Sequence, residues 1–249
     1  MLYFILLGFV VGFLVGLTGI GGGALMTPSL IFLGVEPWVA VGTDLLYATI
    51  TRIFGVLFHY KKGKIRFDLV WRLFTGSLPA ILLGSILLQL IDKNVLNKYL
   101  TLLLGIVLIF SSSLCLIKGQ IHISIKPKKW YLYLLGFIVG LTVQFTSVGA
   151  GVIVSFALMN FAKLNPKEVV GVTIIYGLAL SFFSVLNYIF LGGVNYLLAL
   201  FLIVGTLPGV YLGTHINVKT DKDKLKNIIN IIILIIGFLT LFSVFFKFY

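Results

Sequence analysis

Charge is scarce in this chain. Lys, Arg, Asp and Glu make up 10% of its 249 residues, and just seven of those residues are acidic. A soluble domain carries about 25% charged residues, so a soluble globular fold is excluded. Cysteine is nearly absent: the lone Cys115 leaves no intramolecular disulfide to form. Histidine is confined to His59, His122 and His215, with no His/Cys cluster at metal-ligand spacing, and no metal and no cofactor are expected. No G-x-x-x-x-G-K-[ST] stretch occurs, which argues against an ATP-driven pump in one chain. No nucleophile, base and orienter set lies at membrane depth, which argues against a membrane hydrolase and against an enzyme generally. Gly19, Gly21 and Ala24 match a loose dinucleotide pattern, but no strand-helix-strand unit surrounds them.

Apolar surface is abundant instead. Hydrophobic residues reach 60%, mean hydropathy is +1.15, and several runs attain the roughly 20 residues that cross a bilayer. The expectation is an all-α polytopic membrane protein. The start Met1-Leu2-Tyr3-Phe4 lacks the basic region of a secretory signal, so the first segment is read as retained. Segment a runs from about Leu2 to Leu17, b from Ala24 to Gly34, c from Trp38 to Tyr60, d from Leu69 to Ile91 and e from Val95 to Ile117. After a basic linker, Lys118 to Lys129, come a′ from Trp130 to Phe145, b′ from Val152 to Ala162, c′ from Lys167 to Leu191, d′ from Asn195 to Ile216 and e′ from Leu225 to Phe246. Residues 1–117 and 130–249 thus form two membrane repeats of one transport domain.

The repeat is visible in the residues. At one offset, Leu7-Gly8-Phe9 matches Leu135-Gly136-Phe137, Thr18 matches Thr146, Gly21 matches Gly149 and Gly23 matches Gly151. One residue later in register, Tyr47 matches Tyr176, and Gly76-Ser77-Leu78-Pro79 with Gly84 matches Gly205-Thr206-Leu207-Pro208 with Gly213. Charge decides the orientation of the halves through the positive-inside rule. If a and b form a hairpin, crossing or re-entrant, the halves are inverted. One side then collects Lys61, Lys62, Lys64, Arg66, Lys118, Lys126, Lys128, Lys129, Lys163, Lys167, Lys219, Lys222, Lys224 and Lys226, against Lys93, Lys98 and Lys247 on the other. A parallel arrangement splits the same charges almost evenly. Inverted repeats in a plasma membrane, with both termini outside, are therefore expected.

Two glycine runs interrupt the helices at matching places. Gly19, Gly21, Gly22 and Gly23 follow Thr18, while Gly149 and Gly151 follow Thr146 and Ser147. Broken helices at corresponding positions of two halves point to a transporter's substrate site. The helices b and b′ start there, and a helix N-terminus offers free N–H donors and about half a positive charge, which suits a small anion. Thr18, Thr146 and Ser147 add hydroxyls. The competing reading is that the glycines serve close helix packing alone. Segment c carries Asp44 and Arg52 well inside a span, and intramembrane charges are functional by default. Arg52 suits an anionic oxygen and Asp44 a coupling proton, unless Arg52 snorkels outward and Asp44 caps its helix. Tyr47, Thr51 and Tyr176, with Ser77, Pro79, Thr206 and Pro208, are candidates for the pathway or its gates. Expected partners are a small anion, membrane lipid and a coupling proton. A homodimer fits the sequence. Nucleic acid does not, because the lysines lie in short clusters between apolar runs.

The stretch Gly12-Phe13-Leu14-Val15-Gly16-Leu17-Thr18-Gly19-Ile20-Gly21-Gly22-Gly23, the following Pro28, Gly42-Thr43-Asp44 and the paired Gly-Ser/Thr-Leu-Pro-x-x-x-x-Gly motifs resemble the sulfite exporter TauE/SafE family of membrane permeases. The resemblance covers essentially the whole chain. It implies a transporter, with members linked to export of sulfite, sulfoacetate or other small sulfur-containing anions. The second tip departs from the first, with Ser147 and Ala150 where Gly19 and Gly22 stand. Residues and resemblance together lead to a secondary transporter of small anions, a probable exporter of sulfite, sulfoacetate or related organosulfonates. A passive anion channel and a non-transporting membrane assembly subunit are the alternatives.

Overall fold

The computed structural model describes residues 1–18, 22–59, 66–116, 130–162, 164–216 and 222–246. Gly19 and Gly21, the Thr18 side chain and the linker 118–129 lie outside the described residues. Ten α-helices and no strand are found among those described: α1 Leu2–Thr18, α2 Gly23–Phe32, α3 Pro37–His59, α4 Phe67–Leu90, α5 Lys93–Leu116, α6 Trp130–Thr146, α7 Ala150–Asn160, α8 Pro166–Phe190, α9 Tyr196–Ile216 and α10 Lys222–Phe246.

Six of them, α3, α4, α5, α8, α9 and α10, are long and apolar enough to cross a membrane. α1 and α6 are also apolar but have 17 residues each, about 25 Å of helix. α2 and α7 have 10 and 11 residues and close a hairpin with the helix before them. The polarity of the bundle is inside out relative to a soluble protein. Trp71, Leu82, Phe190, Tyr211 and Phe238 stand on its surface, while Thr43, Asp44, Ser77, Gln144, Thr206 and Ser184 are buried. A hydrocarbon solvent imposes that distribution, since it accepts exposed apolar side chains and rejects unpaired polar ones. The chain is an integral, multi-pass membrane protein.

The first helix of each hairpin lies on a helix from the other half. α1 packs chiefly on α9, and α6 on α4. Glycine makes both contacts close enough for backbone to touch backbone. A Cβ placed on Gly8 would overlap the carbonyl of Leu202, and one on Gly205 would overlap that of Ile5. At the matching positions, Gly136 faces the carbonyl of Leu73, and Gly76 that of Tyr133. Van der Waals contact between such small-residue faces is what holds helices together where lipid removes the hydrophobic drive.

Contact positions also give the directions of the helices. Along the α1–α9 seam, Gly8 meets Leu202 and Gly16 meets Val210, so the pair is parallel; on α6–α4, Gly136 meets Leu73 and Gln144 meets Gly84 in the same sense. α3 and α8 run antiparallel, with Gly42 against Tyr188 and Gly55 against Ile174. α5 and α10 do likewise, Gly105 meeting Leu241 and Gly237 meeting Ile109. The largest helix contacts correspond when α1–α5 and α6–α10 are exchanged, α1 on α9 with α6 on α4, while α3 on α5 and α6 on α8 have no such counterparts.

Substituting Gly205 by Val should therefore force α1 off α9. Overpacking of this kind costs about 1–3 kcal/mol, a drop of roughly 2–12 °C in Tm for a chain of this size. Gly55→Ala, whose Cβ would meet Ile174 at an ordinary 3.7 Å, should leave Tm unchanged or raise it. Thermal unfolding of the two variants in detergent measures both outcomes.

Candidate functional site

The first hairpin tip is described from Gly22 onward and the second throughout. At the first, α2 starts at Gly23 after Gly22, which has φ −62° and ψ −24° and no side chain to cap with. Gly22 O accepts from the amides of Leu25 and Met26 at 3.0 and 2.9 Å. At the second, the chain turns through two left-handed residues, Ser147 at φ +61° and Gly149 at φ +112°. Glycine adopts that conformation without cost, whereas a serine there is uncommon. Ser147 N still donates to Val143 O at 2.9 Å, and Ile153 N to Gly149 O at 3.1 Å.

Thr146, expected to donate to an anion, is instead engaged within its own tip. Its hydroxyl donates to Thr142 O and accepts from Val148 N at 3.2 Å. Gly151 has open space where a Cβ would be, and Gly22 and Gly151 are both half-buried. The tips meet at Gly23, since a Cβ there would lie 2.8 Å from Ser147 O and 3.3 Å from Asp44 Oδ2. Asp44 is fully buried, and Thr27 Oγ1 donates to its Oδ2 at 2.5 Å. Thr27, on α2 and one turn past Gly23, went unrecognised in the sequence, because a lone hydroxyl in an apolar helix carries no pattern.

Two matching hydroxyl relays flank this centre. Tyr47 Oη lies 3.0 Å from Thr206 Oγ1, which is 3.0 Å from Gly8 O and 2.8 Å from Leu202 O. In the other half, Tyr176 Oη lies 2.7 Å from Ser77 Oγ, which is 2.8 Å from both Gly136 O and Leu73 O. A hydroxyl has one proton, so once Thr206 or Ser77 gives it to a carbonyl, the tyrosine must be the donor to that hydroxyl. Each relay links a long helix, a proline-containing helix and the first helix of a hairpin. Tyr47 also stands beside the first tip, 3.6 Å from where a Gly22 Cβ would be.

Arg52 reaches across from α3 to α8 and donates from Nη1 to Gly177 O at 2.7 Å. Gly177 admits the guanidinium, because a Cβ there would sit 3.2 Å from its Cζ and Nε. Arg52 is half-buried, and among the described residues the ion pair is Arg66–Asp68, at the exposed start of α4. Arg52 thus has no acidic partner within ion-pair distance among the described residues. Thr51 donates back to Tyr47 O at 2.9 Å on its own helix. Pro79 and Pro208 do not face the centre: both are exposed on the outer sides of α4 and α9. The ring removes an amide donor on the lipid-facing side there, and both helices continue through it.

Paired broken hairpins, facing hydroxyl relays and buried charge at their junction define a polytopic membrane protein with a polar centre of the kind transporters use. The family model for the sulfite exporter TauE/SafE family matches residues 4–240. The chain belongs to that family of membrane transporters. It is 35% identical over 246 residues to probable membrane transporter protein YjnA of Bacillus subtilis, covering 94% of this chain and 96% of the relative. It is 26% identical to YunE of the same organism, over 94% of each chain. It is 27% identical to probable membrane transporter protein MJ0441 of Methanocaldococcus jannaschii, over 94% of this chain and 92% of the relative. No solved structure matches the chain.

Tyr47→Phe and Tyr176→Phe each remove one hydroxyl from a relay whose remaining members stay bonded to carbonyls. Each should cost about 1 kcal/mol, seen as a Tm lower by roughly 2–4 °C. The symmetry of the relays requires the two losses to be similar, which thermal unfolding of the single variants compares directly.

Proposed function

We propose that the chain is a secondary transporter in the plasma membrane that moves small anions of the sulfite, sulfoacetate or related organosulfonate type by alternating access. The observation that carries this reading is Arg52, a half-buried cation inside a membrane helix whose one acceptor among the described residues is a neutral carbonyl. A guanidinium in that position binds an oxyanion through its remaining N–H groups, bidentately where geometry allows. The amides of Gly22, Gly23, Gly149 and Gly151 supply further donors, and the sequence adds Gly19, Gly21 and the Thr18 hydroxyl to that set. Asp44 is the coupling group, with a proton as the expected ion. Its burial without an ion-pair partner supports that role, because an intramembrane carboxylate is costly unless it serves ion movement.

The two halves, residues 1–117 and 130–249, act as inverted repeats. The antiparallel course of α3 against α8 and α5 against α10 supports the inversion, as does the one-sided distribution of lysines. Both termini then face outside, and rocking of one half against the other exposes the tips to each side in turn.

Flux of sulfite and sulfoacetate into proteoliposomes, with and without an imposed pH gradient, tests the reading. Saturable flux is expected, and Arg52→Ala should lower it about 10- to 100-fold, the worth of a charged hydrogen bond. Asp44→Asn should abolish the response to the pH gradient. Gradient-driven flux unchanged in Arg52→Ala would remove that residue from the path, and flux without saturation or coupling would make the protein a channel. The topology has its own check in a Cys115→Ser background. A cysteine at Lys98 should react with an impermeant thiol reagent added outside whole cells, and one at Arg66 should not.

A further inference from the structure

The junction of the two tips holds oxygen atoms that an anion site does not explain. Asp44 Oδ2 accepts from Thr27, but Oδ1 is buried and has no hydrogen-bond partner among the described residues. Ser147 is 2% exposed, and among the described residues its hydroxyl closes no hydrogen bond, though it lies near enough to act on the Asp44 carboxyl. Its carbonyl borders the same space above Gly23 as Asp44 Oδ2 does. The backbone at Ser147 is in the left-handed region, where glycine fits better, and the matching position of the first tip, Gly19, is a glycine. A side chain held in a backbone conformation unfavourable to it, with a buried and unsatisfied polar atom at the junction that also holds Asp44, points to a use for that atom.

Charge states what is missing. An ionised carboxylate removed from water needs several donors or a cation, and Asp44 has one donor. The titratable groups acting on it are Arg52 and Tyr47, both on α3; the faces of α2 and the second tip turned to it contribute the hydroxyls of Thr27 and Ser147. Arg52 lies two turns away with Nη1 on Gly177 O, and Tyr47 is bonded to Thr206. An ionised Asp44 leaves the junction short of one positive charge, and Asp44 Oδ1 and Ser147 Oγ are buried there without a hydrogen-bond partner among the described residues.

We infer that Asp44 and Ser147 together bind one monovalent cation, a proton or Na+, between the two hairpin tips, with Thr27 orienting the carboxyl. This rests on the reading of Asp44 as the coupling group. A proton sits on Oδ1 and is donated to Ser147 Oγ; Na+ is coordinated by the same two oxygens, as irregular backbone and carboxylate oxygens do in transporters. Ser147 then serves the cation, not the anion. Because Asp44 comes from the first half and Ser147 from the second, the bound cation ties the halves together, and its loss leaves a naked carboxylate against the second tip.

Infrared titration of the purified full chain in detergent, without any anionic substrate, reads this directly. The protonated-carboxyl band absent from Asp44→Asn identifies Asp44. Ser147→Gly suits the left-handed backbone and deletes the acceptor of the proton, so the midpoint of that band should fall by about 1 pH unit. Thr27→Val deletes a donor to the ionised form, so the midpoint should rise by a similar amount. Ser112→Ala, in α5, should leave it in place. Replacing choline by Na+ at matched ionic strength separates the two ions. A lower wild-type midpoint in Na+, lost in Ser147→Gly, identifies a Na+ site; an unchanged one identifies the proton as the ion held. A midpoint that stays put or rises in Ser147→Gly overturns the inference. Absence of sulfite flux beside the expected shifts would remove the anion-transport reading and leave the cation site standing.

Discussion

Hydrocarbon does not hydrogen-bond, so a helix that breaks inside a membrane needs protein over the break. Much of this architecture follows from that requirement. Each broken hairpin is laid on a long helix of the opposite half, α1 on α9 and α6 on α4, at distances that glycine alone permits. Once the hairpins are held that closely, the tips are brought together at Gly23 and Ser147, and α3 passes beside them with Asp44. The polar centre is a product of backbone packing before it is a product of charge.

The scaffold is repeated but its chemistry is not. The relays through Tyr47 and Tyr176 use matching atoms on matching helices, down to the carbonyls of Gly8 and Gly136 that anchor them. Asp44 and Arg52 have no such counterparts, as Thr173 and Ser181 stand at the corresponding places in α8. For the proposed alternating access, two like halves allow two arrangements of similar energy, and the unrepeated Asp44 and Arg52 supply one set of charges.

Helix positions were legible in the sequence because apolar runs here end abruptly at Gly, Pro and Lys, and the limits expected for segments a to e and a′ to e′ fall close to those of α1 to α10. The break at Gly149 and the matched Tyr47/Tyr176 and Ser77/Thr206 were legible as well, since a repeated offset shows itself whatever surrounds it. Which way a side chain points was not. In water an amphipathic helix announces its inner face, but a helix between lipid and protein is apolar on both. Pro79 and Pro208 therefore looked no different from pathway residues, although they face outward. The roles of Thr27, Gly177 and the self-bonded Thr146 depend on neighbours distant in the chain, such as the contact between residues 52 and 177. The resemblance carried by the first tip anticipated the family, and it could not show that Ser147 lies near enough to act on Asp44.

The lodging of α1 on α9 sets the order of synthesis against the order of assembly. α1 is the first of the ten helices to leave the ribosome, yet the surface that its glycines fit is among the last to be made. Until then a short apolar helix and its unroofed tip must wait in the bilayer or in the insertion machinery. α6 meets no such delay, because α4 is already in place when it emerges. The second hairpin can dock as it is born, and the first is the natural point at which a nascent chain goes astray.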